Sequence, residues 1–126
     1  MKILVVDDSP TARMVAIKCL KDLDCTDIVE AENGMQALQV LKATPDIRLV
    51  LLDRYMPEMD GLAFMQHFKA DPAFANIMVS MVTSEGDMDE RMKAVADYQA
   101  DYYIIKPVTA QALVRMFAKL FPETLQ

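Results

Sequence analysis

The chain has 126 residues, 53% of them hydrophobic, which suits one domain with a single core over residues 1–126. No apolar run is long enough for a membrane span, and the first residues already read as a strand, so the expectation is a cytoplasmic protein without a signal peptide or membrane contact. A balance of 13 basic against 19 acidic residues argues against nucleic-acid binding, and Cys19 and Cys25, outside any CxxC pair, suit a reducing compartment.

Lys2 to Val6 reads as a first strand, ending on Asp7-Asp8. Ser9 is placed to N-cap a helix that opens on Pro10 and keeps helical periodicity through Leu23. A weaker strand over Asp27 to Ala31 follows, then a helix opened by Asn33-Gly34 and closed by Pro45. The apolar run Leu49 to Leu52 is a buried strand ending on Asp53. Asp60-Gly61 opens a third helix that Asp71-Pro72 ends, and Ile77 to Val82 is a strand ending on Thr83. Gly86-Asp87 precedes a fourth helix to about Tyr98. Tyr102 to Ile105 is a fifth strand ending on Lys106, and Thr109 N-caps a last helix running to Phe121. Strands alternating with helices at this rhythm predict repeated βα units with right-handed crossovers. The fold class is therefore α/β: a five-stranded parallel sheet, order 2-1-3-4-5, flavodoxin-like and doubly wound, with a ligand crevice where the strand order reverses.

Under that topology Asp7, Asp8 and Asp53 converge at the C-terminal edge of the sheet, joined by Thr83 and Lys106 from the last two strands. Three neighbouring carboxylates repel one another and call for a cation. Oxygen ligands without His or Cys select a hard ion, and carboxylates completed by water suit Mg²⁺. A divalent ion, an ammonium and a hydroxyl around one carboxylate are what a phosphoryl group needs while an aspartate oxygen attacks it in line. Asp53 is then the nucleophile, forming an acyl phosphate. The sole histidine, His67, falls within a predicted helix, so the phosphoryl donor comes from another molecule.

The stretch Leu4-Val5-Val6-Asp7-Asp8-Ser9, the segment from Asp53 to Gly61, Val82-Thr83-Ser84 and Lys106-Pro107 together resemble the receiver domain of two-component response regulators, over essentially the whole chain. The resemblance implies that Asp53 accepts a phosphoryl group from a phosphohistidine on a sensor histidine kinase or a histidine phosphotransfer protein. It implies a phosphorylation-controlled switch rather than a turnover enzyme. Mg²⁺ would be held by Asp8, Asp53 and the Tyr55 backbone carbonyl, with Asp7 acting through water. Lys106 would contact the phosphoryl group, and Lys106-Pro107 would be cis. Thr83 and Tyr103 would be the switch residues, altering a surface made by the fourth predicted helix, the fifth strand and the last helix. Tyr55 and Glu85 occupy the positions that tune phosphoaspartate lifetime, and bulky Tyr55 is expected to shield the acyl phosphate from water.

Two features depart from the family pattern. The chain between Thr83 and Lys106 is about one residue longer than is usual for the family, and Gln99 stands where Gly is common, which predicts a differently built end to the fourth helix. On the first helix, Ala12, Val15, Ala16, Cys19, Leu20 and Leu23 are expected to face the sheet. Met14 and Ile17 then point outward as a docking surface for the donor. The leading reading is a stand-alone, chemotaxis-like receiver, monomeric, acting on a downstream protein target. The alternative is the N-terminal receiver of a longer transcription regulator or cyclase. Asp101-Tyr102-Tyr103, with Ala112 and Met116 on the last helix, lacks the charges expected of a DNA-binding dimer. An aspartate-nucleophile phosphatase would need Asp-x-Asp on the first strand, and none of Gly34, Gly61 or Gly86 builds a P-loop.

Overall fold

The computed structural model describes residues 1–54, 59, 61–83 and 99–122. Five strands form one parallel sheet in the order β2-β1-β3-β4-β5: β1 (Lys2–Val6), β2 (Ile28–Ala31), β3 (Ile47–Asp53), β4 (Met78–Thr83) and β5 (Tyr102–Ile105). The described helices are α1 (Pro10–Asp22), α2 (Gly34–Ala43), α3 (Gly61–Ala70) and α4 (Ala110–Leu120), with a 3₁₀ turn over Pro72–Phe74. The helix expected between Gly86 and Tyr98 lies outside the described residues.

Strand alternation sorts the core into two layers. Leu4, Val6, Val50, Leu52, Val79 and Met81 pack on one side with Phe64, Met65 and Phe68 of α3 and with α2. Ile3, Val5, Leu49, Leu51, Val82 and Ile104 pack on the other against Ala16 and Leu20 of α1 and Leu113, Met116 and Phe117 of α4. Both faces of β3 are buried, which is why it reads as an unbroken apolar run. It begins earlier than the apolar run suggests: Ile47 pairs with Lys2, and a register shift leaves Arg48 without a partner residue in β1. The Arg48 guanidinium instead lies 5.3 Å from the ring centroid of Phe121.

The caps follow the sequence signals. Ser9 Oγ accepts from the Ala12 amide, Asn33 Oδ1 from Gln36 and Thr109 Oγ1 from Ala112, each satisfying an N–H that the helix leaves open. Asp71 does the same for the 3₁₀ turn, accepting from the Ala73 amide.

Gln99 takes the left-handed conformation just before β5, at φ 59°, and the fourth helix whose end it was expected to alter lies outside the described residues. One expectation is corrected. On α1 the buried face is rotated from the expected one. Val15 is 40% exposed, whereas Ile17 is half-buried and packs on the α1/α4 layer. The cause is the gap between α1 and the chain after β5, a hollow of about 340 Å³ with Val15 and Val108 at its walls. Met14 is exposed as expected, at 70%.

Candidate functional site

β1 and β3 are adjacent and parallel, with Val6 beside Leu52, so the residues that follow each strand emerge side by side. That register brings one carboxylate oxygen each from Asp7, Asp8 and Asp53 within 4.8 Å of one another. Asp7 and Asp53 are buried, at 6% and 4% exposure, and Asp8 is exposed to solvent. The cluster is pinned from several directions. Asp7 donates its amide to Ala31 O, and its Oδ1 accepts from the Ser9 amide at 2.9 Å.

Lys106 reaches the cluster from the end of β5. Its amide bonds Thr83 O at 2.7 Å, and its Nζ lies 3.1 Å from Asp53 Oδ1 and 3.5 Å from Asp7 Oδ2. Burial by itself would lower the pKa of this ammonium. The hydrogen bond to Asp53, with the charges of Asp53 and Asp7, outweighs that effect and raises it above the ordinary lysine value. The Lys106-Pro107 peptide is cis, as the resemblance implies. Thr83 is buried at the end of β4, and its Oγ1 has no hydrogen-bond partner among the described residues. A buried hydroxyl without a partner is costly and suits a ligand oxygen brought into the site.

The structure thus brings together Asp7, Asp8, Asp53 and Lys106, and places Thr83 at the end of the strand between β3 and β5. Tyr103 lies on β5, half-buried against the layer that holds α2 and α3, its ring stacked on Tyr102 at 6.0 Å. Tyr55 and Glu85 lie outside the described residues. Sequence reasoning missed Gly61: a Cβ there would meet Arg54 O at 3.3 Å and Met81 Cε at 2.9 Å, and the Gly61 amide bonds Arg54 O. The chain leaving Asp53 is therefore packed directly on the start of α3.

Among the described residues the donor set has the chemistry for a hard divalent cation: three carboxylates, no nitrogen or sulfur ligand, and one member open to solvent for exchange. With this geometry in hand, the family can be stated from comparison. Residues 3–118 match the model of the response regulator receiver domain. The chain belongs to that family.

This receiver domain is 40% identical over 113 residues to a Helicobacter pylori protein named chemotaxis protein CheY1, covering 90% of each chain. It is 37% identical to a Campylobacter jejuni chemotaxis protein CheY homolog, covering 90% of this chain and 86% of that one. Among solved structures, the chemotaxis response regulator CheY4 of Vibrio cholerae superposes with a TM-score of 0.82 at 22% identity, over 95% of this chain and 98% of the other. At that identity the likeness speaks for the fold alone. The receiver is a signalling module, and no helix among its described residues is long and apolar enough to cross a membrane.

Proposed function

We propose that Asp53 is the phosphoryl acceptor and that the site works with Mg²⁺. The observation that carries this is the setting of Asp53: a 4%-exposed carboxylate at the end of a central strand, 3.1 Å from an ammonium and grouped with two further carboxylates. Asp8 and Asp53 would hold the metal, with Asp7 acting through water. Bound there, Mg²⁺ supplies neutralisation of the phosphoryl oxygens.

The rest is done by the chain. A carboxylate oxygen of Asp53 attacks the phosphorus of a phosphohistidine in line, the P–O bond forming as the P–N bond breaks. The electron pair of that bond stays on the donor imidazole, which then takes up a proton. Lys106, already held between Asp53 and Asp7, donates to a phosphoryl oxygen that replaces one carboxylate contact. Thr83 turns its hydroxyl to another. Moving Thr83 opens room behind it for Tyr103, and that change in packing is the output read by a downstream protein. The donor, a sensor histidine kinase or histidine phosphotransfer protein, would dock on α1 through exposed Met14, with half-buried Ile17 supporting that face. The protein acts in this reading as a cytoplasmic switch, not as a turnover enzyme. The two relatives named as chemotaxis proteins support a signalling role for this receiver.

Reductive trapping tests the acceptor. Borohydride converts an acyl phosphate to an alcohol, so treatment after phosphorylation should leave homoserine at position 53 in the peptide spectrum. Homoserine at position 7 or 8 would overturn the assignment.

A further inference from the structure

Arg13 stands outside the five residues of the site yet touches the segment that carries two of them. Its side chain is only 12% exposed and spans two strands: Nη1 donates to the Asp7 backbone carbonyl at 2.6 Å, and Nε donates to Glu30 Oε1 on β2 at 2.9 Å. The carbonyl it holds belongs to the peptide unit joining Asp7 to Asp8. Fixing that oxygen fixes the plane of the peptide from which Asp8 projects, and Asp8 is the exposed member of the carboxylate cluster. The other contacts of Asp7 are its amide with Ala31, Oδ1 with the Ser9 amide and Oδ2 with Lys106, so Arg13 restrains the carbonyl directly. A planar guanidinium can make both contacts at once, whereas an ammonium on a flexible stem presents no such fork.

We infer that Arg13, oriented by Glu30, is a positioning residue that presets the Asp7–Asp8 peptide for divalent-cation binding. The inference rests on the proposed Mg²⁺ site. Charge and positioning make opposite predictions here. A cation beside the carboxylates opposes Mg²⁺ electrostatically, so removing it would tighten metal binding if charge alone mattered. If Arg13 acts by holding the peptide, removing it loosens the site and weakens binding, in the manner of groups that orient metal ligands.

The test is a Mg²⁺ titration of wild type, Arg13→Met, Arg13→Lys and Glu30→Gln, following the backbone amide signals of Asp8 and Ser9 by NMR. The rest of each amide spectrum reports whether the variant is folded. The expected result is a Kd raised about tenfold in Arg13→Met, a smaller loss in Glu30→Gln, and no full rescue by lysine. Tighter or unchanged binding in folded Arg13→Met, or wild-type affinity in Arg13→Lys, would overturn the inference. No Mg²⁺ response in wild type would instead overturn the metal reading beneath it.

Discussion

Replacing Lys106 with Met tests the electrostatics of the site in the absence of any phosphoryl group. The side chain keeps most of its length and loses its charge, leaving Asp7 and Asp53 buried without the ammonium between them. At 3.1 and 3.5 Å, an effective dielectric near 20 gives each contact a Coulomb energy of about 5 kcal/mol before desolvation is counted. The lysine side chain is 34% exposed, so solvent screens both contacts, and desolvating the ammonium offsets part of the rest. The net loss at neutral pH is then about 2 kcal/mol, which for a domain of this size lowers Tm by roughly 8 °C. Lysine and Mg²⁺ address the same carboxylates, so the metal should restore more stability to the variant than it adds to wild type. Thermal melts of both proteins with and without Mg²⁺ measure this. A metal-free variant as stable as wild type, or a Mg²⁺ increment no larger in the variant, would mean that the Lys106 ammonium does not offset the buried carboxylates.

Other consequences follow from particular groups. The Lys106 pKa lies above its unfolded value, so its stabilising contribution is complete below about pH 10 and is lost as pH rises through the folded pKa. The stability gap between wild type and Lys106→Met should therefore close on the alkaline side in pH-dependent urea melts, and a constant gap would contradict this. Ser80 is fully buried, and its Oγ has no partner among the described residues, so Ser80→Ala should stabilise the fold by about 1 kcal/mol in the same melts. Gln99→Gly relieves a left-handed side chain and should be neutral to about 1 kcal/mol stabilising, while Gln99→Val should cost more than about 1 kcal/mol. Equal stability of the two variants would remove the backbone argument.

Strand ends carried most of what the sequence disclosed. Each polar residue terminating an apolar run is local, and parallel topology then converts five local signals into one site. The caps at Ser9, Asn33 and Thr109 were legible because they depend on residues a few positions apart, and the strand order because alternating βα units with right-handed crossovers leave few topologies. What escaped depends on distant parts of the chain. Arg13 acquires its role only because β2 brings Glu30 beside the end of β1. Asp101 was read only for its charge, but its Oδ2 accepts from the Val79 amide while its own amide bonds Val79 O, tying β4 to the turn before β5. The exposed side of α1 was misjudged at Val15 and Ile17 because periodicity gives the width of an apolar face but not the gap left by a neighbouring segment. At Gln99 the sequence signalled an unusual residue but not its backbone, which is left-handed and stores strain that a glycine would not.

Whether Asp53 accepts a phosphoryl group with the help of a divalent cation can be read by intact-mass spectrometry after incubation with acetyl phosphate, with and without Mg²⁺, on wild type and Asp53→Asn. The expected result is a single phosphoryl adduct on wild type that requires Mg²⁺ and is absent from the variant. An adduct that persists in Asp53→Asn, or that forms equally well without the metal, would contradict it.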